Sequence, residues 1–107
     1  MDYTERLRRL AINDRTFVAG DSDRECLALK AIDTKTLALV RIGAIIAVGA
    51  AVPSFGEEAD AATASGATAD EVVDVLVGLV PILGLPCVVA AAPKLALALG
   101  YDVEASL

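Results

Sequence analysis

The stretch VLVGLVPILGLPCVVAAAP, residues 75–93, runs for nineteen residues without a charge, long enough to raise the question of a membrane span. Its length meets the usual requirement for a membrane-spanning helix. Its middle, however, reads Pro81-Ile82-Leu83-Gly84-Leu85-Pro86. Two prolines around a glycine end one helix and begin another, because proline lacks the N–H that a continuing helix needs. The stretch is therefore read as a buried helix–turn–helix in a protein that does not cross a membrane, with flanking Asp74 and Lys94 at its ends.

Outward from this break, the pattern is helical throughout. Leu7, Leu10 and Ala11 recur at helical spacing between Glu and Arg, which predicts a short amphipathic helix over Thr4 to Asn13. Asp14 to Gly20 is expected to add a further turn, and Cys26, Leu27 and Leu29 to dock on the core. Asp33 is placed to cap a helix from Thr34 to about Ala50, apolar on every side after Leu37 except at Arg41. Such a helix is expected to be buried on all sides, which in a chain this short calls for other subunits.

Two S/T-x-x-E strings follow. Ser54-Phe55-Gly56-Glu57 predicts a capped helix to Ser65 with Gly66 as its stop, and Thr68-Ala69-Asp70-Glu71 predicts a second helix to about Pro81. The last helix is expected from Pro86 to Gly100, kinked or divided at Pro93. No stretch alternates as a strand does. The expected architecture is all-α with about five helices.

Composition sets the limits of function. The chain has 107 residues, 56% of them hydrophobic, with a mean hydropathy of +0.62, which excludes disorder along its whole length. It has no histidine, so there is no imidazole base, no Ser-His or Cys-His pair and no His-ligated zinc. Cys26 and Cys87 are too few for a structural zinc site. They read most simply as free thiols, with a mutual disulfide as the alternative. No metal or cofactor is expected. The N-terminus shows no secretory pattern, so a cytoplasmic protein is expected.

Charge is uneven. Residues 1–41 carry eight of the nine basic side chains, whereas residues 42–107 carry Lys94 alone against eight acids. With net charge −6 and pI near 4.4, nucleic acid is not an expected partner. The Arg6, Arg8 and Arg9 cluster, interleaved with Asp2 and Glu5, reads as a solvated helix face.

Among the polar residues Arg41 is the most informative. Set between Leu39, Val40, Ile42 and Ala44, it is expected to be buried and so to need a counter-charge. Glu57, Glu58 and Asp74 are the candidates for a structural ion pair. The other reading is a pocket in which Arg41 receives a ligand carboxylate. Glu57 and Glu58 complement a helix start, and one of them in an apolar setting would serve as an acid or base. Ser54 reads first as a helix cap.

The order of these features resembles the carboxymuconolactone decarboxylase family, related to the alkylhydroperoxidase D proteins. It is carried by Ile32-Asp33-Thr34-Lys35-Thr36 opening a long apolar helix, by Ala64-Ser65-Gly66-Ala67-Thr68-Ala69-Asp70-Glu71, and by Gly84-Leu85-Pro86 before an alanine-rich last helix. The ending Leu97-Ala98-Leu99-Gly100-Tyr101-Asp102 is similar to that of short bacterial members. The resemblance covers about residues 30–100, leaving residues 1–30 as a helical extension of one domain. It implies an all-helical subunit that assembles as a homotrimer or homohexamer.

Redox members of that family carry Cys-x-x-Cys and a His four residues beyond. Those positions fall here at Ala50, Pro53 and Glu57 in one register, or Ala51, Ser54 and Glu58 in the other. The disulfide cycle is thus missing, and a glutamate stands where decarboxylase-like members keep a His. The resulting expectation is a pocket for a small carboxylate or lactone, with Arg41 and Ser54 binding and Glu57 or Glu58 handling the proton. The alternative is a catalytically silent oligomeric scaffold or regulatory protein. A thiol peroxidase working through Cys26 and Cys87 ranks below both.

Overall fold

The computed structural model describes residues 2–15 and 29–103. The chain divides into two compact units, residues 1–32 and 33–107. The described residues are all-α, with five helices of nine residues or more, one four-residue turn and no strand.

In the first unit α1 spans Tyr3–Ala11. The Asp2 carboxylate accepts from the Glu5 amide at 2.9 Å, and Glu5 in turn pairs with Arg8 at 2.7 Å and Arg9 at 3.1 Å. These two guanidinium groups hold the Glu5 carboxyl down at about 2. Tyr3, Leu7 and Leu10 all remain exposed. The further turn expected over Asp14 to Gly20 and the docking of Cys26 and Leu27 fall largely or wholly outside the described residues.

In the second unit α2 (Thr34–Val48) begins at Asp33, whose carboxylate accepts from the Thr36 amide at 2.7 Å. It ends at Gly49, whose φ of 69° closes the helix in a backbone region that side chains with a Cβ enter at a cost. Three residues, Gly49 to Ala51, then lead into α3 (Val52–Ala64), and the two helices pack as a hairpin. After α4 (Ala69–Gly78) comes the single turn α5 (Val80–Leu83), then α6 (Leu85–Ala98). The uncharged stretch is thus a helix–turn–helix, as its prolines require, but it is not buried throughout: Val77, Ile82, Leu85 and Val89 are exposed. Gly84, at φ 87°, makes the break. Among the described residues no helix is long and apolar enough to cross a membrane.

Each helix of this unit longer than one turn contributes one buried stripe: Ala38, Ile42 and Ile46 from α2; Phe55, Ala59 and Ala62 from α3; Val72 and Leu76 from α4; Val88, Ala91 and Leu95 from α6. Many of these are alanines, which bring helix axes close and leave Phe55 as the largest core side chain. At the N-terminus of α4, Thr68 Oγ1 accepts from the Glu71 amide at 3.1 Å, and Glu71 Oε1 accepts from the Thr68 amide at 3.0 Å. Glu71 Oε2 also meets Lys35 Nζ at 2.7 Å, tying α4 to the first turn of α2. That ammonium is the main reason the Glu71 carboxyl titrates below its ordinary value.

Three expectations are corrected. Ser54 does not cap α3: the helix starts three residues earlier than that cap would place it, Ala51 is the N-cap, and no side chain caps it. Pro53 explains the shift, since proline fits the first turn and loses nothing there. Pro93 does not divide the last helix, which runs unbroken from Leu85 to Ala98 around it. Nor is α2 buried on all sides, because Val40, Ala44, Ala47 and Val48 face outward.

Candidate functional site

Arg41 lies on α2 one residue before Ile42, about 100° around the helix from the buried stripe. It is exposed rather than buried, and among the described residues it makes no ion pair with Glu57, Glu58 or Asp74. The neighbours of α2 cover one side only, so the guanidinium emerges at the edge of an outward face whose other large residues are apolar.

On α3 the three expected residues separate. Ser54 and Glu58, one residue before Phe55 and Ala59, share a flank one turn apart and are half-buried. Glu57 points the opposite way from the core and is exposed. Glu58 therefore remains the better placed of the two acids, and Ser54 is its neighbour rather than a helix cap.

A second constellation forms where the start of α3 meets α6. Lys94 follows Pro93 on α6, and its ammonium donates to the Ala50 carbonyl at 2.9 Å, in the connection between α2 and α3. The same nitrogen lies 5.9 Å from the centre of the Phe55 ring, at the outer range of a cation–π contact. Beside it is a cleft of about 220 Å³ lined by Val52, Ala90, Pro93, Lys94, Leu97 and Asp102. Two groups of opposite charge thus share a wall that is otherwise apolar. Pro93, having no N–H, withholds the usual helical donor from the Val89 carbonyl, which neighbours the lining residue Ala90.

No pattern in the sequence pointed to this cleft. Its signal was a single cation, Lys94, in residues 42–107, inside an alanine-rich helix. Asp102 carried no local signal, because it reaches the cleft only through the turn after α6.

Cys87 is half-buried, with Sγ directed at the Ile46 carbonyl at 3.5 Å. Its expected redox companion Cys26 lies outside the described residues. Among the described residues no group of three or more Cys, Asp or Glu side chains is arranged to hold a metal. Comparison with family models, curated proteins and solved structures returns no match for this chain.

Proposed function

We propose that this chain works in the cytoplasm as a homo-oligomer resembling the carboxymuconolactone decarboxylase family, binding a small carboxylate or lactone at the surface around Arg41. The observation that carries this reading is an exposed Arg41, without an ion-pair partner among the described residues, beside the apolar face made by Val40, Ala44 and Val48. A second copy covering that face would take the guanidinium out of water, and a desolvated cation needs an anion. A planar guanidinium suits a carboxylate through two parallel hydrogen bonds. Glu58, half-buried on its flank with Ser54, is the residue assigned to proton transfer, with Glu57 too exposed for the task.

Native mass spectrometry of the full chain with a panel of small carboxylates tests this reading. It expects a trimer or hexamer that retains an acid adduct, and an Arg41→Met protein that keeps the assembly and loses the adduct. A monomer, or an adduct unaffected by Arg41→Met, overturns it. The silent scaffold is the second reading, favoured by exposed Val48, Val73, Val77 and Val89, which need a covering surface but no ligand.

A further inference from the structure

We propose that the cleft between the start of α3 and α6 is a binding site for a small aliphatic zwitterion of the α-amino-acid type, separate from the surface around Arg41. Its volume of about 220 Å³ lies below the common range for drug-sized ligands, which begins at about 300 Å³, so the occupant is small. Val52, Ala90, Pro93 and Leu97 supply apolar walls for an aliphatic body.

The polar groups select its ends. Lys94 Nζ has three donors and spends one on the Ala50 carbonyl, which fixes the ammonium and leaves N–H groups for a carboxylate. Asp102 already has an interaction of its own, but a carboxylate accepts several donors and can take a ligand ammonium too. The Val89 carbonyl, short of a helical donor, lies beside the lining residue Ala90.

A simple anion meets Asp102 and a unit that carries nine acids against three bases, whereas a simple cation meets Lys94. A zwitterion answers both charges and adds none.

The test is a set of titrations of the full chain with leucine, 4-methylpentanoate and 3-methylbutylamine, followed through the backbone amide NMR signals of Ala90, Leu97 and Asp102. Leucine is expected to move these signals saturably, with the acid and the amine each binding at least about tenfold more weakly for want of one charged hydrogen bond. Asp102→Asn is expected to weaken leucine by about tenfold and to strengthen 4-methylpentanoate, reversing the order.

Lys94→Met is expected to abolish leucine binding. Since Lys94 also holds the α2–α3 connection, Asp102→Asn decides the matter should Lys94→Met fail to fold. The absence of saturable leucine shifts overturns the proposal. So does 4-methylpentanoate binding as tightly as leucine, which would make the cleft a plain anion site. Arg41→Met is expected to leave the leucine titration unchanged, so failure here and failure of the Arg41 reading are told apart. Loss of leucine binding in Arg41→Met overturns the cleft assignment.

Discussion

The helices α3 and α4 begin at strings of the same form, Ser54-x-x-Glu57 and Thr68-x-x-Glu71, and they are built differently. At α4 the string acts through its side chains: hydroxyl and carboxylate each accept from the other residue's amide, and Lys35 adds an ion pair. At α3 the same pattern caps nothing, and the helix begins three residues earlier than the pattern implies, with Pro53 in its first turn. What holds α3 is its buried stripe, with Phe55 at 1% exposure one residue after the unused serine. A capping string therefore proposes a helix start, and the core register together with a neighbouring proline decides whether it is used.

The contrast can be broken from the α3 side first. Phe55→Ala removes the largest buried side chain and is expected to cost about 3–5 kcal/mol in denaturant unfolding. A cost below about 1 kcal/mol would mean that α3 does not depend on burial. Thr68→Ala is expected to cost about 1 kcal/mol, with faster amide exchange at Glu71 as the local readout. Gly43→Ala serves as a control away from both starts. A Cβ there would meet Leu79 and Val75 side chains at 3.6 and 3.7 Å, ordinary contact distances. The gain in helix propensity is therefore expected to stabilise by about 0.5–1 kcal/mol.

Acid sharpens the same contrast. The Glu71 carboxyl titrates below its ordinary 4.5, chiefly through Lys35. Its stabilising effect is thus complete above pH 4.5 and is lost as pH falls through the lower folded value. Protection of the amides at the start of α4, taken relative to the intrinsic exchange rate at each pH, is expected to fall on acidification below that point. In Glu71→Gln this component of the pH dependence should vanish. The smallest effect belongs to Ser54→Ala, expected within about 0.5 kcal/mol because its hydroxyl caps nothing. A loss near that of Thr68→Ala would show that Ser54 carries weight at the α3 start after all.

What was legible in the sequence was local. The Asp33 cap, the Gly66 stop, the Thr68 box and the break between Pro81 and Pro86 each depend on residues within a turn or two, and the structure has them all. What was not legible depended on which sides of a helix its neighbours cover. An all-round apolar α2 implied a buried Arg41, but a periodic helix packed from one side buries only Ala38, Ile42 and Ile46. Ser54, Glu57 and Glu58 read as one group along the chain, and the helix turns Glu57 away from the other two. The cleft at Lys94 brings residues 52 and 102 together, a separation that no local pattern spans.

The outward side of α4 sets Val73 and Val77 among Asp70 and Asp74. When two copies approach through such a surface, their acids meet before their valines touch. In dilute buffer the repulsion reaches far, about 30 Å at 0.01 M salt, and at physiological ionic strength it fades within about 8 Å. Apolar contact needs no salt. Ionic strength is therefore expected to set how closely two such surfaces can approach, less closely in dilute buffer and more closely near physiological salt.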